Sequence, residues 1–304
     1  MQQIQWQDQF KIGVEIIDQA HQKLFSIVQK MMDLYVKRHE DRFACVEGIK
    51  YFKAYALKHF AEEEAYMREI GYPGYLAHKR IHDRMRREVI PDLERSLYAT
   101  DFSTEAVQRF IGVCTGWLTG HIIIEDRAIT GKTAGAFAAA QPTDELSVVR
   151  EVILDPLQEM FGPGIQFAGQ FSVRDPIVDA QYYELIYTGR EGPGLRFVLV
   201  IGERLLLHAA GLLFGIDFYD RDEIVRFAMQ EIAQNLVQRA AVSFGRDPYL
   251  YRLAEDRFLE HEEYTQMFEE HVPWHSLLFR AGQDHFAICI DRLPEQAGPP
   301  DGAQ

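Results

Sequence analysis

The sequence predicts a multidomain chain: an all-α four-helix up-down-up-down bundle over residues 1–131, followed by an α+β domain over residues 145–292. Three observations predict it. Apolar residues recur at helical spacing through four long segments of the first half, and histidine interrupts each of those stripes. Residues 132–144 are rich in small residues, Ala above all, without any period, as an interdomain linker is. Beyond them the pattern turns to short alternating stretches separated by Gly and Pro, the mark of antiparallel strands.

Taken in order, Trp6, Phe10 and Val14 are apolar anchors ahead of a first helix at about 15–38, whose stripe is Ile17, His21, Leu24, Val28 and Met32. The second helix, about 43–70, carries Phe52, Ala56, His59, Glu63 and Tyr66 on one face. Gly71-Tyr72-Pro73-Gly74 ends it, because glycine frees the backbone and proline cannot continue the ladder. The third, about 75–98, has His78, His82, Met85, Val89 and Leu93 in its stripe. Ser103 is suited to cap a fourth helix reaching about 130, with Val107, Phe110, Cys114, Leu118, His121 and Glu125 on its core face. Short connections make consecutive helices antiparallel neighbours.

Donor side chains thus fall where a core belongs. Residues four apart on a helix lie about one turn from each other, so His59 with Glu63, and His78 with His82, present paired donors. Burying a carboxylate without a partner costs on the order of several kcal/mol, and such groups are normally paired or bound to metal. A backbone carbonyl explains one core histidine, but not one in each of four helices. Five imidazoles and two carboxylates are too many for one tetrahedral zinc, and the thiolates that structural zinc favours are missing. The count fits two near-octahedral ions sharing carboxylates, and mixed nitrogen and oxygen donors suit iron. For the last donor, spacing alone leaves Glu125 at i+4 from His121 and Asp126 at i+5 equally placed.

Trp6, Phe10, Ile12-Gly13-Val14, Asp18-x-x-His21, His59-Phe60-x-x-Glu63, Met67, Gly71-Tyr72-Pro73, His78-x-x-x-His82 and Trp117-Leu118-x-x-His121-Ile122-x-x-x-Asp126 together resemble a bacterial hemerythrin over residues 1 to about 131. The resemblance fills all seven ligand positions. It implies two iron ions in an oxo- or hydroxo-bridged di-iron centre, with His78, His82 and His121 on one, His21 and His59 on the other, and Glu63 and Asp126 bridging. It further implies that the iron with two histidines is one ligand short and takes O2 there. Leu118 is then expected to line the O2 pocket and keep water out, while Glu62, Glu64 and Glu125 are expected to be solvated or to stand behind the ligands.

In the second half a helix is expected at about 145–161, strands at about 166–173, 181–187 and 195–201, helices at about 204–214 and 222–244, and a closing hairpin of 276–280 with 285–290. This order, with Glu231-Ile-Ala-Gln234-Asn235 in a long amphipathic helix, resembles the chemotaxis phosphatase family of CheC, CheX and FliY, and CheX most. The resemblance implies a helix offering Glu-x-x-Asn to a phosphorylated response regulator, the Glu docking and the Asn orienting the attacking water. Here Glu231 matches, Gln234 stands where the family has Asn, and Asn235 is displaced by one residue, a rotation of about 100° on a helix. Glu231, Gln234 and Asn235 are the candidate catalytic residues, with the wet face of a surface helix as the alternative. A homodimer is implied by the same resemblance. His208, inside an apolar helix, is expected in the core, and residues 293–304, rich in Pro and Gly, are expected to be disordered.

With 46 acidic against 32 basic residues the chain carries a formal charge of −14, which argues against nucleic acid or an anionic membrane as partner. The apolar tract at 197–216 is broken by Glu203 and Arg204, so no membrane span is expected, and the polar start lacks a signal-peptide pattern. Cys45, Cys114 and Cys289 are odd in number and far apart, which fits reduced thiols in the cytoplasm. The expected function is an O2 or redox sensor signalling through the CheX-like domain in a chemotaxis or two-component pathway. An oxygen-regulated phosphatase of a phosphorylated response regulator, and simple storage or delivery of O2 or iron, are the alternatives.

Overall fold

A computed structural model describes residues 6–37, 42–131, 145–162, 164–174, 177–189, 193–214, 223–245, 251–269 and 271–294. The expected linker at 132–144 and the tail beyond residue 294 lie outside the described residues. The chain packs as two compact units, residues 1–139 with 207–235, and residues 140–206 with 236–304.

The first unit is built on four helices. A 3-10 turn, Asp8–Phe10, precedes α1 (Glu15–Lys37), which is followed by α2 (Arg42–Glu69). Helix α3 runs as Tyr75–Arg84, a π turn Met85–Val89, and Ile90–Ala99. Helix α4 likewise runs as Thr104–His121, a π turn Ile122–Asp126, and Arg127–Ile129. Each helix packs on its sequence neighbours and α1 closes on α4, so the four form an up-down-up-down ring.

Local chemistry explains where the helices begin and end. The Asp18 carboxylate accepts from the backbone N–H groups of Ile12 and Gly13 at 2.8 and 3.0 Å, and Gly13 with φ 92° lets the entering chain fold back to it. Phe10 then stacks on Phe25 with ring centroids 4.9 Å apart, fixing the start of α1 ahead of His21. Helix α2 closes on Gly71 in the left-handed region at φ 67°, with Tyr72 N donating to Met67 O and Gly71 N to Arg68 O, a Schellman stop. Ser103 Oγ caps α4 by accepting from Ala106 N at 3.3 Å, a contact worth about 1 kcal/mol.

The π turns alter the expected stripes. In α3 the extra residue moves the core position from the expected Val89, which is half-buried, to Ile90, which is buried together with Leu93 and Leu97. Helix α4 is buried on all sides from Phe110 to Ile124. The same unit holds residues 207–235, from α6 (Glu203–Phe214) and α7 (Glu223–Gly245). A Cβ added at Gly116 of α4 would lie 2.1 Å from Ala228 O, and one at Gly112 2.5 Å from Ile224 O, so the glycines admit the backbone of α7. His208, expected in the core, is exposed: Leu205, Ala209 and Ala210 make the buried face and leave His208 opposite.

The second unit carries an antiparallel sheet of six strands in the order β1-β5-β6-β3-β2-β4. These are β1 (Ile165–Gly169), β2 (Ala180–Gly189), β3 (Gly194–Gly202), β4 (Tyr251–Leu259), β5 (His275–Ala281) and β6 (Asp284–Leu293). Helix α5 (Glu145–Phe161) packs by β1, where Gln158 Nε2 donates to Ile165 O at 2.9 Å. Helix α8 (His261–Glu269) places Tyr264 and Phe268 on Tyr182, Val198, Val200 and Cys289. Buried Glu184 is paired by Arg196 at 2.9 Å and Arg257 at 2.8 Å, which satisfies the charge across three strands. The expected hairpin is β5 with β6, but the sequence reading missed β4 and α8.

Candidate metal centre

His21, His59, His78, His82 and His121 turn their Nε2 atoms into the middle of the first unit, and each is at most 2% exposed. The seven expected donors form two buried groups, Glu63 with His78, His82 and His121, and Asp126 with His21 and His59. In the first group His121 Nε2 lies 3.1 Å from His78 Nε2 and 2.9 Å from His82 Nε2, while Glu63 Oε2 is 3.4 Å from His82 Nε2 and 3.7 Å from His78 Nε2. In the second, His21 Nε2 lies 3.2 Å from His59 Nε2 and 3.2 Å from Asp126 Oδ2. The two carboxylates also connect the groups: Asp126 Oδ1 is 3.0 Å from His121 Nε2 and 3.3 Å from His78 Nε2, and Glu63 Oε2 is 3.5 Å from His59 Nε2.

Asp126 takes this position because of the π turn. In a regular α-helix the residue at i+4 shares a face with His121, which would favour Glu125. The wider turn at Ile122–Asp126 brings i+5 onto that face instead, so Asp126 is fully buried and Glu125 half-buried beside it.

Ring stacking sets the imidazole planes. His121 stacks on Trp117 with centroids 4.4 Å apart and planes at 14°, and His82 stacks on Phe60 at 4.3 Å and 17°. Leu118 is fully buried on α4. Of the five outer nitrogens, the Nδ1 atoms of His21, His59, His78 and His121 have no hydrogen-bond partner among the described residues. His82 Nδ1 does, 3.3 Å from Glu64 Oε1, and Arg86 Nη2 donates to that same oxygen. Glu64 is thus the one expected neighbour of a ligand that stands directly behind it.

The electrostatics are those of a cage that expects a cation. Burial pushes His59 down to about 3, helped by the charge of His21, which leaves its lone pair available. Burial also lowers His121. For His78 burial is outweighed by the Asp126 and Glu63 carboxylates, which raise it to about 10, so a cation bound there displaces a proton. Burial would lift Glu63 and Asp126, but the imidazoles around them hold both below the usual carboxylate range. Burial likewise opposes the ionised form of Glu64, yet His82 and Arg86 bring it down to about 2.

These residues fit a pair of metal ions. Two nitrogens each about 2.1 Å from one ion and at right angles to each other are about 3 Å apart, which is the spacing of the facing Nε2 atoms. Hydrogen bonding cannot replace the ion, since each imidazole edge is a single donor or acceptor and His121 Nε2 faces two others. Both oxygens of Glu63 and of Asp126 lack a hydrogen-bond partner among the described residues despite full burial.

The other predicted site residues lie elsewhere in the first unit. Glu231 and Gln234 are 6% exposed and Asn235 is half-buried, so the expectation of a wet helix face is corrected. Gln234 Oε1 accepts from Arg84 Nη2 of α3 at 3.1 Å, and Asn235 Nδ2 would lie 3.2 Å from a Cβ at Gly120. Gly112, Gly116 and Gly120, absent from the candidate residues, were detectable as glycines at i, i+4 spacing in a helix, where each costs about 1 kcal/mol unless close packing needs it.

Among the described residues no helix is long and apolar enough to cross a membrane. Among solved structures, CheX in a CheX-CheY-BeF3-Mg complex from Borrelia burgdorferi covers 50% of this chain and 99% of its own, at TM-score 0.39 and 11% identity. The chemotaxis protein CheX of Vibrio vulnificus covers 47% and 96%, at TM-score 0.36 and 14% identity. Likeness at this level is remote, and the α+β character of the second unit rests on its own sheet and helices. The bundle is matched more closely. The bacteriohemerythrin of Clostridium acetobutylicum is 32% identical over 128 residues, which are 40% of this chain and 95% of that protein. That of Stenotrophomonas maltophilia is 35% identical over 124 residues, 40% of this chain and 76% of its own. Residues 12–132 match the family model of the hemerythrin HHE cation-binding domain, a span that contains every one of the seven inward-facing donors, and the chain belongs to the hemerythrin family.

Proposed function

We propose that the chain is an O2-responsive di-iron sensor in which His78, His82 and His121 hold one iron, His21 and His59 the second, and Glu63 with Asp126 stands between them. The convergence of these seven buried donors into one three-histidine and one two-histidine group supports the reading. Bound iron supplies a redox-active site for reversible O2 binding, and the group with fewer donors leaves room for it. Trp117 and Phe60 hold the rings of His121 and His82 in plane, and Leu118 helps exclude water from the centre.

Helix α4 supports the sensing half of the proposal. One face carries His121 and Asp126, and another carries the glycines that receive α7 at Ala228, so a change at the ligands acts on a helix in backbone contact with its neighbour. A phosphatase regulated by oxygen is a second reading, favoured by Glu231-x-x-Gln234 on α7. In that reading Gln234 must leave Arg84 before it can serve a phosphorylated regulator.

Purified protein should contain two irons per chain and show a charge-transfer band that disappears with dithionite and returns in air. Hydrogen exchange tests the signalling half: amides of residues 223–235 should change protection between the reduced and the oxygenated protein. Identical protection in both states would remove α7 from the proposal.

A further inference from the structure

Five imidazoles face the centre with the same nitrogen, but they are not held alike. Four present Nδ1 atoms without a hydrogen-bond partner among the described residues. His82 is enclosed. Its Nδ1 meets Glu64 Oε1 at 3.3 Å, its face stacks on Phe60, and Arg86 reaches both neighbours, donating to Glu64 through Nη2 and lying over the Phe60 ring with Cζ 5.5 Å from the centroid. Arg86 is itself anchored, its Nη1 donating to Asp83 Oδ1 at 2.8 Å.

Glu64 and Arg86 have no place in the ligand set. Glu64 follows Glu63 on α2, and Arg86 sits on the π turn of α3, four residues beyond His82. The Glu64 side chain is 8% exposed and that of Arg86 22%, so the charge pair lies at the edge of the core and needs a reason to be there.

We propose that Glu64, held by Arg86, is a positioning residue for His82. It keeps the proton on Nδ1 and the lone pair on Nε2, strengthens the imidazole as a donor, and makes His82 the anchoring ligand of the three-histidine ion. The inference rests on the reading of the bundle as a metal centre. A carboxylate on the far nitrogen of a ligating histidine fixes its tautomer and orientation, and removing such a partner typically costs about 10- to 100-fold in metal affinity. The loss should be confined to the ion that His82 holds, because the Glu64 carboxylate is engaged by His82 and Arg86.

The test is an anaerobic Co(II) titration of the full-length apoprotein, followed by its visible spectrum, with the unfolding midpoint of each apoprotein recorded in parallel. Glu64→Gln should weaken one of two binding steps at least tenfold and leave the other within twofold of wild type, while its apoprotein midpoint falls no further than that of Arg86→Gln, which loses the same ion pair. Arg86→Gln should produce a smaller loss in that same step, and Arg86→Lys should restore most of it. Two steps within twofold of wild type in Glu64→Gln overturn the proposal. So does any loss that spreads over both steps, which would make Glu64 a packing residue. A wild-type protein that takes up no Co(II) refutes the metal centre itself, a result distinct from failure of the Glu64 assignment.

Discussion

Replacing His59 with alanine should abolish the oxygen-dependent charge-transfer band and reduce iron from two per chain to one or none. His59 is one of only two imidazoles in its group, and its Nε2 lies 3.2 Å from that of His21 and 3.5 Å from Glu63 Oε2. Losing it leaves that ion with one imidazole, His21, and the two carboxylates, Glu63 and Asp126, that stand between the groups. An iron assay and an optical spectrum through one cycle of dithionite and air measure both effects. His208→Ala is the control, since His208 is exposed on α6 and should leave iron and band intact. A band that survives His59→Ala would reject the assignment of ligands.

Gly116→Ala should destabilise the protein although alanine is the better helix former. The added Cβ would stand 2.1 Å from Ala228 O and 2.6 Å from Ala228 Cα, both backbone atoms, so no flexible side chain can yield. Overpacking of this kind costs about 1–3 kcal/mol, against a gain of at most about 1 kcal/mol from helix propensity. Gly120→Ala makes the comparison, because its nearest neighbour is the Asn235 side chain at 3.2 Å, which can turn aside. Thermal unfolding should therefore rank Gly116→Ala well below Gly120→Ala, with two irons retained in each. If Gly116→Ala is as stable as wild type, α7 does not approach α4 so closely.

The donors were legible in the sequence because helical period is a strong signal over four long segments, and a histidine on an apolar stripe is conspicuous against it. What period could not decide was the choice between Glu125 and Asp126. A count of residues assumes a regular helix, and the π turn at Ile122–Asp126 breaks that assumption. The same assumption misplaced Val89 in α3. In the second unit β4 gives no clear strand signal because Glu255, Asp256 and Arg257 fill an edge strand with charge and break its apolar alternation. His208 lies on a face that was readable: Leu205, Leu206 and Leu207 in a row suggest an all-apolar helix, but exposed Arg204, four residues before His208, marks the polar side.

Helix α4 holds one residue more than a straight rod needs between Ile122 and Asp126, and that surplus has a cost in evolutionary freedom. Excising one residue from 122–125 would absorb the π turn and set Asp126 four residues after His121, on the same face of a regular rod, whereas one residue more would swing the last carboxylate out of the cage by about 100°. The stretch therefore tolerates the loss of a residue but not a gain, an asymmetry that its π turn imposes.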